Sequence, residues 1–387
     1  MVDPSIDLLP AATRPICVRS IAYLLLLCST LGAKAVRVTF VDEQQQPQTK
    51  TGSIVVEAQD GGIVLLLRDG QLLNLPPQRI RSKKPLADPF RPLSTAELSQ
   101  QLTSEFGEDF QVVTTQHYVL CTNAGPHYAR WCGALLERLM KSLHTHWKSA
   151  RLKLHKPQFP LTAIVFSNAQ QFANYAAKDI GPGSAGVKGY YSIPSNRVVL
   201  YDLTERSGQR AQSTAEIVRS VSRAPFNVAT VVHEATHQIA FNNGLHVRLA
   251  DNPLWLTEGM AMYFETPDLK NRAGWRTVGK INPFRIGVFR NFAAQRRGPD
   301  SLSSLLSTDQ RFTQAETAGD AYAEAWALNY FLIKSRRKEY AQYLRLLQAK
   351  QPLDWGGPQQ RLAEFQEIFG DLGTLDKQFI NYMRRQR

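Results

Sequence analysis

The chain has 387 residues, 43% hydrophobic and 20% charged, with a formal net charge of +13. This is enough for one large domain or two to three modest ones with a substantial core, in an ordinary globular composition. The basic residues are spread along the chain and no nucleic-acid motif accompanies them, so a solvated basic surface or contact with an anionic cell-envelope partner is expected, and no nucleic-acid partner.

The first 35 residues read as a targeting segment. Arg14 and Arg19 precede the apolar run 21–28, and Ala33-Lys34-Ala35 has the small-x-small form of a cleavage site. The run is too short for a comfortable membrane span, so a secretory signal removed near Ala35 is expected, with no integral span afterwards. The mature chain would then be secreted or periplasmic, or otherwise in the cell envelope. Removal leaves two cysteines, Cys121 and Cys132, which are read equally as an oxidised pair or as two buried thiols.

Residues 36–82 carry four strand-like runs, with turn signals at Asp60-Gly61-Gly62 and Asp69-Gly70. They predict a small β-barrel module, SH3-like in size, with no visible chemistry. Residues 83–107 are expected to be a linker, Pro-rich at its start. From 108 onward strand and helix alternate: a strand over 110–121, an amphipathic helix over 128–147, a buried strand over 161–166, a helix near 170–177, and a hairpin over 190–201 turning at Pro194-Ser195-Asn196.

Chemistry enters at 226–265. The run Val-Val-His-Glu-Ala-Thr-His-Gln contains H-E-x-x-H, and no Pro or Gly interrupts its helical pattern before Gly244. Positions i and i+4 share a helix face, so His233 and His237 can present two imidazoles to one metal ion. Glu234 lies about 100° round the helix, placed to take a proton from a metal-activated water. Glu258 follows in Trp255-Leu256-Thr257-Glu258-Gly259-Met260-Ala261, on a second helix opened by Asn252-Pro253. Folding back, it completes a His2Glu set with an open position, as catalytic zinc requires.

H-E-x-x-H followed by W-L-x-E-G-x-A resembles the gluzincin metallopeptidases, most closely their peptidase-MA-like secreted branch. The resemblance covers roughly 108–335. It implies an α+β, zincin-like fold: a mixed sheet and zinc helices over 108–265, then a helical lobe over 266–387. It implies one Zn2+ held by His233, His237 and Glu258, with Glu234 as general base. It also makes the 190–201 hairpin a candidate cleft wall, where an edge strand pairs with extended substrate. The metzincin pattern fails, because Ala240 and Asn243 stand where it needs Gly and His.

Beyond 265 apolar residues recur at helical spacing over 302–306, 318–334, 340–347, 359–369 and 375–382. Tyr322 lies at a distance from Glu258 similar to that of the tyrosine that, in aminopeptidase-type gluzincins, donates to the oxyanion, and is given that role by resemblance. Glu265 and Glu324 are candidate partners of the zinc-bound histidines, while His246 and Asp251 read as loop residues. The Gly-x-Met-Glu-Asn signature of aminopeptidases is absent. The expected function is a secreted zinc endopeptidase acting on peptide or protein substrates. The alternatives are a catalytically inactive envelope binding protein on a zincin scaffold, and a zinc hydrolase of non-peptide amides.

Overall fold

A computed structural model describes residues 34–386, apart from 182–183, 185, 205–212, 224 and 267–277. Most of the expected targeting segment lies outside the described residues. No helix of the described residues is long and apolar enough to cross a membrane. The architecture is mixed α+β: two five-stranded sheets and a helical C-terminal region.

The first sheet is formed by β1 (Lys34–Val41), β2 (Pro47–Glu57), β3 (Ile63–Leu67), β4 (Leu72–Leu75) and β5 (Ile80–Pro89). Val36, Val38, Phe40, Ile63, Leu65 and Leu75 form its small core. The expected barrel is corrected here. The order β4-β3-β2-β1-β5 leaves β4 and β5 unpaired with each other, so the sheet is open. The expected linker is corrected too. Its start is β5, antiparallel to β1 with Val36 opposite Pro85. Pro85 and Pro89 are tolerated because β5 is an edge strand and owes no outer hydrogen bonds. The strand is followed by α1 (Thr95–Phe106), opened by a capping box in which Ser94 Oγ accepts from the Glu97 amide and the Glu97 carboxylate accepts from the Ser94 amide at 2.7 Å.

The second sheet has the order β6-β7-β8-β10-β9: β6 (Gln111–Thr114), β7 (Tyr118–Thr122), β8 (Leu161–Phe166), β9 (Gly189–Ser192) and β10 (Arg197–Tyr201). The single strand expected over 110–121 is thus a hairpin, β6–β7. Strands β7, β8 and β10 run parallel, while β6 and β9 are antiparallel edges. Helices α2 (Pro126–Lys148), α3 (Ala169–Asp179) and α4 (Thr214–Arg223) surround this sheet.

Both faces of the sheet are buried. Tyr118 and Leu120 face the large core with α2, whereas Val119 and Cys121 face a second core under α1 and α3. Side-chain alternation along β7 therefore sends Cys121 to one face, while Cys132 on α2 sits in the core of the other. Both are free and buried, so the paired reading is corrected. Burial pushes each thiol up to about 12.

Then come α5 (Pro225–Asn242) and α6 (Leu254–Phe264), followed by α7 (Pro283–Gln295), α8 (Ser301–Ser307), α9 (Gln310–Thr313), α10 (Ala315–Ser335), α11 (Arg337–Gln348), α12 (Gly357–Phe369) and α13 (Leu372–Arg384). Helices α6 and α10 cross at very close range. A Cβ on Gly259 would lie 2.0 Å from Asn329 Nδ2 and 2.5 Å from the Ala325 carbonyl. Asn329 in turn donates to the Trp255 carbonyl at 2.8 Å and accepts from the Tyr340 hydroxyl at 2.5 Å. Gly259 is required because no side chain fits that crossing.

Candidate metal centre

Helix α5 is buried on nearly every side: Val228, Val231, Val232, Ala235 and Ile239 all enter the large core. Its polar residues are therefore held rather than solvated. Gln238 donates to the carbonyls of Thr162 and Asn196, both at 2.9 Å, fixing the helix to the sheet. This leaves His233 and His237, one turn apart, facing α6.

The imidazole Nε2 atoms of His233 and His237 are 3.2 Å apart. Glu258 from α6 reaches both, with Oε2 3.0 Å from His233 Nε2 and Oε1 3.4 Å from His237 Nε2. All three donor groups converge within 4.8 Å of one another, so they could hold a metal ion. Donors 2.0–2.1 Å from one ion at tetrahedral angles lie about 3.3–3.4 Å apart, and the observed separations are close to that spacing. Two imidazoles and one carboxylate form a donor set suited to zinc.

The ring of His233 is oriented from behind. Its Nδ1 lies 3.2 Å from Glu265 Oε2, and Glu265 Oε1 accepts from Arg285 Nε at 3.0 Å and Asn282 Nδ2 at 3.1 Å. With Nδ1–H donated to Glu265, the neutral ring offers a lone pair at Nε2. Glu265 thus lies against the far side of the His233 ring, within reach of Nδ1. Met262, one turn after Glu258, is buried in the core instead.

Without a metal, the cluster is a buried ion pair. Burial alone would depress His233, but its hydrogen bonds to Glu258 and Glu265 and the charges of Glu258 and Glu234 hold it up at about 10. Burial would raise Glu258, yet the histidines hold its carboxyl well below the usual carboxylate range. Glu234 differs: burial lifts it, outweighing the pull of His233 and His237. Its Oε2 accepts the Tyr191 amide of β9 at 2.8 Å, so the edge strand of the 190–201 hairpin reaches the candidate base through its backbone.

Tyr322 is buried on α10, its ring edge-on to Phe312 at 5.2 Å. Burial raises its hydroxyl well above the ordinary value, and the charges of Glu258 and Glu234 raise it further. Glu324, two residues on, is not beside the histidines. It is bound by Arg297 and Arg311, each at 2.8 Å, and by Ser301, so its candidate role is corrected to an internal counter-charge. Asp251 pairs with Arg361 at 2.5 Å and ties the α5–α6 loop to α12. His246 is buried against Phe241, and burial lowers it to about 3.

Sequence reasoning missed Arg285, Asn282 and the Tyr191 amide. A backbone donor has no residue signature, and the first two reach Glu265 only through the packing of α7.

The fold and the site together define an α+β chain with a buried His-His-Glu group able to bind a metal. Residues 227–354 match a family described as "Protein of unknown function (DUF1570)", a stretch that contains His233, Glu234, His237, Glu258, Glu265 and Tyr322. No curated protein matches the chain.

Proposed function

We propose that this chain is a secreted or periplasmic zinc endopeptidase cleaving peptide or protein substrates. The observation that carries the reading is the meeting of His233, His237 and Glu258 beside a carboxylate, Glu234, that is no part of the donor set and is buried against an edge strand. A structural metal site has no use for such a group. Zinc held there would act as a Lewis acid on the scissile carbonyl and on the attacking water.

The chain's own residues supply the rest. Glu234, raised by burial, takes a proton from the attacking water and passes it to the departing amine. Its bond to the Tyr191 amide fixes where that happens. The backbone of β9 offers extended substrate an edge to lie along. The Tyr322 hydroxyl, kept protonated by burial and by the two carboxylates, donates to the oxyanion.

The test pairs metal content with hydrolysis of an unfolded protein. About one zinc per chain, cleavage lost on chelation and cleavage restored by zinc are expected. Zinc without any cleavage would favour a binding protein or a hydrolase of non-peptide amides, and a folded chain without zinc would end the proposal. Within it, Tyr322→Phe should lower kcat about 10²–10³-fold with KM little changed, since an oxyanion donor acts only in the transition state.

A further inference from the structure

The β module (residues 34–89) bonds to α1, through Arg68 to Glu97 at 3.0 Å and through Gln101 to Asp69 at 2.6 Å, and it also meets the turn of the β9–β10 hairpin at a seam. The amide of Leu72 donates to the Pro194 carbonyl at 2.7 Å. Arg248, from the α5–α6 loop, donates Nη1 to the Gly70 carbonyl at 2.7 Å and Nη2 to the Ile193 carbonyl, with Pro194 O at 3.4 Å. Its Nε is enclosed without a hydrogen-bond partner; burial lowers the guanidinium's pKa, and the charge of Asp69 offsets part of that. Burying a guanidinium is costly. It is sustained here by backbone carbonyls from two separate segments, which fixes their relative position.

The seam continues to the site. Asn196, at the hairpin turn, accepts from the Tyr191 hydroxyl at 2.9 Å and from Asn242 of α5 at 2.7 Å. Gln238, next to His237, holds the Asn196 carbonyl. Three residues before the turn, the Tyr191 amide sits on Glu234. A chain of short contacts therefore runs from the β3–β4 turn through Arg248 and β9 to the candidate base. Gly70, at φ +88°, lies so close that a Cβ there would approach Asn196 Nδ2 to 2.9 Å.

We propose that the β module braces the substrate-binding edge of the cleft, and that Arg248 is the positioning residue that transmits its grip to β9. As far as substrate is concerned, this rests on the peptidase reading above. The module then needs no ligand of its own: it sets the register of the strand along which substrate lies. Arg248 touches none of the donor groups, so it acts on substrate alignment and not on metal capture.

The experiment uses the full chain and three variants. Arg248→Gln removes the forked bonding, Arg248→Lys keeps the charge but replaces the planar fork with a compact ammonium on a flexible stem, and Gly70→Ala opens the seam from the module's side. Hydrogen exchange over 189–193 is read first, since it needs no activity. Exchange there should accelerate about tenfold in Arg248→Gln and Gly70→Ala and less in Arg248→Lys, while α5 stays protected. Zinc content should be unchanged, and KM should rise about tenfold with kcat within about threefold. Unchanged exchange at β9 in both Arg248→Gln and Gly70→Ala would overturn the brace, as would faster exchange with unaltered KM in an active parent. Faster exchange in a parent that cleaves nothing would support the brace while removing the peptidase reading.

Discussion

Glu234→Gln is expected to keep its zinc and lose hydrolysis by about 10³-fold, within the ~10²–10⁴ that a positioned acid–base group supplies. The substitution is isosteric, and a glutamine oxygen can still accept the Tyr191 amide that Glu234 Oε2 holds at 2.8 Å. Geometry is therefore preserved while the ability to carry a proton is removed. His233, His237 and Glu258 remain within 4.8 Å of one another, so metal content should not fall. The measurement is zinc content beside turnover of an unfolded protein. Equal turnover in parent and variant would remove Glu234 from the chemistry.

Glu258→Ala is expected to empty the metal site. The two remaining imidazoles would lose the carboxylate that reaches both, and affinity should fall well beyond the ~10–100-fold that loss of an outer-shell partner costs. In the metal-free parent His233 holds a proton up to about pH 10, because Glu258 and Glu265 outweigh its burial. The sign follows from the raised value. The ion pair's stabilisation is fully present below the imidazole's ordinary value, and it is lost as pH rises through about 10. Metal must displace that proton, so the parent's apparent affinity should weaken from about pH 8 to about pH 6. Titration of zinc into stripped protein at the two pH values reads both effects. An affinity in Glu258→Ala equal to the parent's would dismiss Glu258 as a ligand.

The sequence alone determined the centre of the molecule. The spacing of His233 and His237 places both imidazoles on one helix face whatever surrounds them, and the break at Gly244 with Asn252-Pro253 beyond it lets a second helix return with Glu258. The hairpin at 190–201 was legible for the same reason: its signals are local. The Ser94–Glu97 capping box was also written in the sequence, but the prolines before it drew attention to a linker.

Only the tertiary structure decided what depends on neighbours distant in sequence. Pro85 belongs to a strand because β1 offers it an edge, and Cys121 and Cys132 stay apart because a sheet lies between them. Glu324 and Glu265 are indistinguishable as letters. One faces Arg297 and Arg311, the other His233 and Arg285, because helices α6, α7 and α10 pack as they do. Residue type and spacing decide what a helix can present. Which group it meets is decided by close packing of side chains across elements, which no local pattern encodes.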